Sequence, residues 1–283
     1  MKTTLFYDKY ADDPVAAAIL ANRGTLDVDA FAIDELTSSP VSCGVGGTPW
    51  RVGDRTLDTG SSLLVNRFVR IRRESLEAYG ADVDVYRAFK YTTAFLSFLI
   101  DEFTLRTGGP GMSCLAGNYS PLNNQWFRVA QSSVPVPVPE FEYTFGFNDG
   151  GVSLDRAVQA DPNDFRALVG GSSSSSGSAW HRFVFSAPTG RPLACAAFGP
   201  QLLMSYVDSE EELAPDLQQR VARLVEELAP LFGVSLAEFL LFEHDGELSF
   251  GCFNHEFLWS RSFVGFDQFV LESLKGSISQ VEG

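Results

Sequence analysis

The opening stretch TLFYDKYADDPVAAAILANRGTLDVDAFAI, Thr4 to Ile33, reads as strand, helix, strand. Thr4–Tyr7 is a short apolar run, and Pro14–Arg23 is rich in helix-favouring alanine. Gly24 closes the helix, and Leu26–Ile33 is apolar enough for a largely covered strand. Pro14 suits a first helical turn, where its missing N–H costs nothing. A β-α-β opening of this kind predicts an open α/β layer.

Working outward, Trp50–Val52 and Arg55–Leu57 flank a Gly53-Asp54 turn, and Leu63–Val65 follows as a strand. Glu74 to about Thr104 reads as mostly helical, with Lys90 among Tyr86, Phe89, Phe95, Phe98 and Leu99. Cys114–Ala116 reads as a strand and Asn123–Gln131 as a short helix. Val134–Pro139 alternates Val with Pro, so it is stiff and extended and marks a lobe boundary. Beyond it, Leu154–Ala160 reads as helical, and His181–Ser186 is expected to pair with Leu193–Phe198 across Pro188-Thr189-Gly190. Leu217, Val221, Leu224, Val225, Leu228 and Phe232 recur at helical spacing from Pro215 to Gly233. Glu238–Glu243 and Glu247–Phe253 form a hairpin around His244-Asp245-Gly246. Glu243, Asp245 and Glu247 then sit at a solvated hairpin tip.

Composition narrows the function classes. The 283 residues are 45% hydrophobic and carry a net charge of −15, which repels phosphate backbones and argues against a nucleic-acid partner. The one tight basic cluster, Arg70, Arg72 and Arg73, is short. Apolar runs such as Ala94–Ile100 are too short to span a bilayer, and the first residues lack a signal peptide's apolar core. Four cysteines without a CxxC pair read as reduced thiols of a cytoplasmic protein, and His181, His244 and His255 have no zinc spacing to them.

Several motifs mislead. Leu57-Asp58-Thr59-Gly60-Ser61-Ser62 matches the string around the catalytic aspartate of pepsin-like proteases, whose chemistry needs two aspartates sharing a proton. No second copy is present, so the protease reading requires a dimer acting through Asp58. Gly44-Val45-Gly46-Gly47 lacks a dinucleotide-binding context, and no GxSxG accompanies the serines.

Four ordered segments resemble the ATP-grasp superfamily, nearest to its peptide-modifying carboxylate–amine ligases: the ribosomal-protein glutamate ligases and the cyclising ligases of microviridin-type peptides. The first is the β-α-β start with a strand ending in Asn66 and Arg67. The second runs from Asn118 and Pro121 through Ala130 to Pro139 and Thr144. In the third, Phe165-Arg166-Ala167-Leu168-Val169 precedes the Ser-rich loop GGSSSSSGS, where the family has a strand ending in Lys and a loop over the phosphates. The fourth, Asp245-Gly246 to Phe253-Asn254, is similar to the family's D-G-x-x-x-F-x-E-x-N hairpin.

The resemblance implies an α/β (α+β), three-lobed fold: an N-terminal open α/β lobe over 1–134, a small lid over 135–187 and a C-terminal lobe over 188–283. It implies ATP and Mg2+ as cofactors if the protein is active. Glu238 and Asn254 would be metal ligands; Arg166, Gly171, Ser172, Ser173 and Ser174 would hold the nucleotide, with Arg166 and Arg182 as catalytic cations. Arg67 and His181 would meet the carboxylate of a peptide or amino-acid substrate. Such folds often form dimers, so a homodimer stands as one open alternative beside a monomer.

This chain departs from the family at its charges. Its only lysines are Lys2, Lys9, Lys90 and Lys275, none at the family's two ATP-binding positions; Asn123-Asn124-Gln125 fills one. Cys252 stands where the family has a metal-binding Glu, and a neutral thiol is a poor ligand for magnesium. Two readings result: an ATP-dependent carboxylate–amine ligase, or a degenerate relative that binds a peptide or partner protein without catalysis.

Overall fold

A computed structural model of the chain describes residues 2–42, 49–69, 71–76, 84–107, 115–116, 120–145, 154, 157–170 and 181–282. The opening reading holds: β1 (Thr3–Tyr7), α1 (Pro14–Ala21) and β2 (Val28–Ala32) form a parallel β-α-β unit. β1 also pairs in parallel with β6 (Leu63–Arg67), which pairs with the two-residue β7 (Leu105–Arg106), giving the order β2-β1-β6-β7.

The pleat sends alternate residues of β1 and β6 into two different cores. Leu5, Leu63 and Val65 meet α1 and the C-terminal helix α7 (Phe266–Glu282). Phe6 and Leu64 meet Leu96, Leu99 and Ile100 of α4 (Val85–Asp101). Burying Phe6 completely contributes about 2–3 kcal/mol. Within the segment read as mostly helical, the described residues include α3 (Arg73–Leu76) and α4. Between β2 and β6 lie α2 (Ile33–Ser38) and a small antiparallel sheet, β3 (Val41–Ser42), β4 (Trp50–Val52) and β5 (Arg55–Leu57).

The C-terminal half is built on a second, antiparallel sheet. β11 (Arg191–Phe198), β12 (Gln201–Tyr206), β13 (Leu236–His244) and β14 (Glu247–Asn254) lie in the order β12-β11-β13-β14. The amphipathic helix α6 (Pro215–Phe232) packs Val221, Val225, Leu228 and Phe232 into its core. The β13–β14 hairpin turns through Asp245 and Gly246, both at positive φ, as a two-residue turn requires. Its outer edge is covered rather than exposed. Gln125 of α5 (Leu122–Ala130) accepts from the Phe253 N–H at 2.7 Å and donates to the Phe253 carbonyl at 3.0 Å. Trp126 Nε1 donates to the Gly251 carbonyl at 2.6 Å, and the Phe250 N–H donates to the Pro137 carbonyl at 2.8 Å. One side-chain amide thus does the work of a neighbouring strand.

A third sheet has the order β8-β10-β9, from β8 (Phe141–Phe145), β9 (Ala157–Gln159) and β10 (His181–Ser186). Four expectations fail around it. β10 pairs with β8 and β9 while β11 pairs with β12 and β13, so the anticipated hairpin across Pro188-Thr189-Gly190 is a crossing between sheets. Gly190 has φ +103°, and a Cβ there would lie 2.3 Å from the Glu243 carbonyl oxygen. The glycine is therefore required by close approach to β13, not by a hairpin turn. Ala157–Gln159 is strand, because β10 supplies it with a ladder, rather than helix. Phe165–Val169 is a 3-10 helix, not a strand, and Leu115-Ala116 lie in a turn.

Candidate functional site

The expected metal residues do meet. Glu238 near the start of β13 faces Asn254 at the end of β14, and both are buried. Asn254 Nδ2 donates to Glu238 Oε2 at 2.9 Å. The other Glu238 oxygen accepts the Ser260 N–H at 2.5 Å and the Trp259 N–H at 3.1 Å. Asn254 Oδ1 accepts from the Glu256 and Phe257 N–H groups, each at 2.9 Å. Together the two side chains cap the backbone of residues 256–260, where Phe257 adopts a positive φ of 53°.

Burial pushes the Glu238 carboxyl above the ordinary glutamate range, against the opposing hydrogen bonds from Ser260, Asn254 and Trp259. Cys252 points to the same side of β14 as Asn254 and is fully buried; burial first, then the charge of Glu238, raises its thiol. Among the described residues, no group of three or more His, Cys, Asp and Glu is placed to hold a metal ion.

Arg67, expected to receive a substrate carboxylate, already holds a carboxylate of the chain. Its Nε and Nη2 donate to Asp13 Oδ2 at 2.9 and 2.6 Å, and Nη2 also reaches the His255 carbonyl at 2.5 Å. The Arg67 and Asp13 side chains are 1% and 7% exposed. Asp13 also caps α1 by accepting from the Ala16 N–H at 2.8 Å. The guanidinium lies 5.3 Å from the Phe257 ring centroid. Arg67 therefore ties the N-terminal sheet to the segment that Glu238 and Asn254 cap.

Arg166 is exposed on the 3-10 helix, while Phe165, Ala167 and Leu168 are buried beneath it. Arg182 lies on β10 opposite Thr144 of β8. His181 opens β10 opposite Phe145, its side chain outside the described part. Gly171, Ser172, Ser173 and Ser174, Asn118, and the Gly44–Gly47 loop lie outside the described residues. The structure thus joins Glu238, Asn254 and Arg67 through residues 255–260. The lysines are elsewhere: Lys2 pairs with Asp29 at 2.7 Å, Lys9 pairs with Asp34, Lys90 lies over Tyr86 and Lys275 is on α7.

Asp58 occupies the exposed turn between β5 and β6, accepting the Gly60 and Ser61 N–H groups at 3.2 and 2.9 Å. Hydrogen bonds from Ser61 hold its carboxyl below the usual range. In a mixed α/β fold this is a turn cap, and the protease reading is corrected.

Sequence reasoning missed Asp13, although Asp before Pro14 is a helix-start signal that could have located it. It also missed β12 and the groove beside it. That groove, of about 800 Å3, is lined by Met204 and Tyr206 of β12 and by the acidic run Asp208, Glu210, Glu211 and Glu212. Arg191 answers part of this charge, reaching Glu211 at 2.7 Å and stacking on Tyr206.

No protein-family model matches the sequence, and no curated protein matches it. Solved structures do. The macrocyclase MdnC from Microcystis aeruginosa, bound with precursor peptide MdnA, superposes with a TM-score of 0.66 at 13% identity, covering 98% of this chain and 100% of that one. The ATP-grasp ligase PsnB, complexed with precursor peptide PsnA2 and AMPPNP, gives 0.63 at 14% identity and 99% coverage of each chain. D-alanine–D-alanine ligase from Bacillus anthracis gives 0.53 at 11% identity and full coverage of both.

Proposed function

From the ATP-grasp fold that this chain has, we propose that it is a peptide-binding protein in which the nucleotide and metal site of the peptide-modifying ligases has eroded. The observation that carries this reading is the Glu238–Asn254 pair. Glu238 Oε2 accepts from Asn254 Nδ2, and Glu238 Oε1 and Asn254 Oδ1 accept backbone N–H groups of residues 256–260. Magnesium demands near-ideal octahedral oxygen ligation, and the third position is a buried thiol. Phosphoryl transfer depends on cations placed around the phosphates, and Lys2, Lys9 and Lys90 are engaged with Asp29, Asp34 and Tyr86 instead. The described residues do not fit Mg-ATP, and no catalytic step is derived through it.

Two of the fold neighbours, MdnC and PsnB, were solved with precursor peptides, which supports a peptide as partner here. β12 is an edge strand, so an extended peptide could add to it as a further strand, with the acidic run favouring basic side chains. No helix among the described residues is long and apolar enough to cross a membrane. The buried thiols Cys195 and Cys252 suit the cytoplasm.

The competing reading is a working carboxylate–amine ligase. It is favoured by the juxtaposition of Glu238 with Asn254, which would hold magnesium after rearranging, with Arg166, Arg182 and Gly171–Ser174 holding ATP and His181 near the substrate. Calorimetric titration separates the two. Mg-ATP is expected to give no binding heat at millimolar concentration, and a short Lys-rich peptide to bind with an affinity that falls with salt. Magnesium-dependent ATP binding lost in Asn254→Ala would overturn the proposal.

A further inference from the structure

The groove beside β12 runs along an outward-facing backbone between two walls of different chemistry. In the β11–β12 ladder Leu193 lies opposite Tyr206, and the next pair is held by the Val207 N–H donating to the Pro192 carbonyl at 2.9 Å. Along an antiparallel ladder, pairs that exchange hydrogen bonds alternate with pairs that do not. Val207, Ser205 and Leu203 therefore turn their N–H and C=O groups towards β11, while Leu202, Met204 and Tyr206 turn theirs to the open edge. Side chains alternate in the same rhythm. Leu202, Met204 and Tyr206 belong to the core under α6, and Leu203 belongs to the core shared with α7.

The walls divide in the same way. The acidic run joins β12 to α6, and its Glu211 is held at 2.7 Å by Arg191, which stacks on Tyr206. That places the run on the α6 side, with Glu210 and Glu212 lining the groove and not committed to Arg191. The opposite wall is Phe263 and Val264, just beyond the 3-10 turn Ser260–Ser262. This turn is bound through the Ser260 N–H to Glu238, which lies opposite Ala196 of the α7-side core. Val264 is 89% exposed, the most open large apolar side chain among the described residues.

Given the peptide-binding reading, on which this inference rests, we propose that the groove selects an extended peptide in which basic and apolar residues alternate, bound antiparallel to β12. Every strand pairing within this sheet is antiparallel, and that pairing is the more stable per residue. An added antiparallel strand sets one residue opposite Met204 and another opposite Tyr206, each exchanging two backbone hydrogen bonds. Directly opposed residues share a face, so these two point to the α6 side, towards Glu210 and Glu212, and are basic. The residues between them point to Phe263 and Val264 and are apolar. The repeat is thus fixed by two unlike walls on either side of one strand edge; net charge alone would favour any cationic peptide.

Calorimetric titration with two capped hexapeptides of one composition, KVKVKV and KKKVVV, tests this. Both carry the same charge, so their general attraction to the acidic surface is equal. The alternating peptide is expected to bind at least about tenfold more tightly. N-methylation of its lysine amides, which face β12, should weaken binding by about tenfold or more, whereas N-methylation of its valine amides, which face outward, should leave binding intact. Val264→Asp should leave the melting curve unchanged, because the position is exposed, and erase the preference for the alternating peptide. Equal binding of the two peptides, a preference that survives Val264→Asp, or a loss on valine methylation as large as on lysine methylation would overturn the proposal while leaving the peptide-binding reading in place. Binding by neither peptide would overturn both.

Discussion

Removing one partner of the Asp13–Arg67 pair should weaken the whole molecule, because this ion pair joins the N-terminal sheet to the segment after β14. Both groups are essentially out of water, with three donor–acceptor distances of 3.2 Å or less between them. At an effective dielectric of 20, charges about 4 Å apart attract by about 4 kcal/mol. Deleting one side of such a pair costs about 3–5 kcal/mol, since the other charge stays buried without its counter-ion. Asp13→Asn is the cleanest perturbation: asparagine still caps α1, so the cap itself contributes little to the change. Arg67→Met keeps much of the stem volume over Phe257. Each single variant is expected to lose about 3 kcal/mol, and the double variant clearly less than the sum, with a coupling of at least about 1.5 kcal/mol. Urea unfolding followed by tryptophan fluorescence reads this as a midpoint shift of about 1 M for each single variant. Additivity within about 0.5 kcal/mol, or a single-variant cost under about 1 kcal/mol, would refute a coupled buried ion pair.

Other consequences are local. Gln125→Ala should cost about 2–5 kcal/mol and abolish hydrogen-exchange protection of the Phe253 amide, since both Phe253 backbone groups lose their partner. With its pKa raised, Glu238 holds its proton more tightly folded than unfolded. Its contribution is therefore present in full below the unfolded value and lost as pH rises through the folded one. Denaturation midpoints across that range should fall more in the wild type than in Glu238→Gln; parallel curves would contradict a raised pKa. Cys195 and Cys252 should resist iodoacetamide until the chain unfolds, as burial raises both thiols; peptide mapping that finds Cys252 alkylated in the native protein would mean an open site.

The failed readings share a cause. His181–Ser186 and Arg191–Phe198 are adjacent strands separated by a Pro-Thr-Gly turn, and local chemistry makes that a hairpin. Their actual ladders are with β8 and β9 and with β12 and β13, in different sheets. Ala157–Gln159 likewise takes its conformation from β10, which lies more than twenty residues away. In the candidate site the β13–β14 hairpin was legible from its turn chemistry, but the turn's own register sets Glu238 opposite Phe253, and only a bulge between Leu240 and Leu241 brings Glu238 opposite Asn254. That their polar atoms are occupied was not legible, because the groups occupying them belong to the backbone of residues 256–260.

The sequence alone determined the β-α-β opening, the amphipathic α6, the β13–β14 hairpin and the absence of lysines from the expected ATP positions. Each of these depends on residue type, on spacing within a few positions, or on turn chemistry. Only the tertiary structure decided that Arg67 serves Asp13, that Gln125 completes the edge of β14, and that Glu238 and Asn254 hold each other. Those pairings span 16 to 128 residues along the chain. A buried polar group takes whichever partner the packed fold brings within about 3 Å, and sequence distance carries no record of that choice.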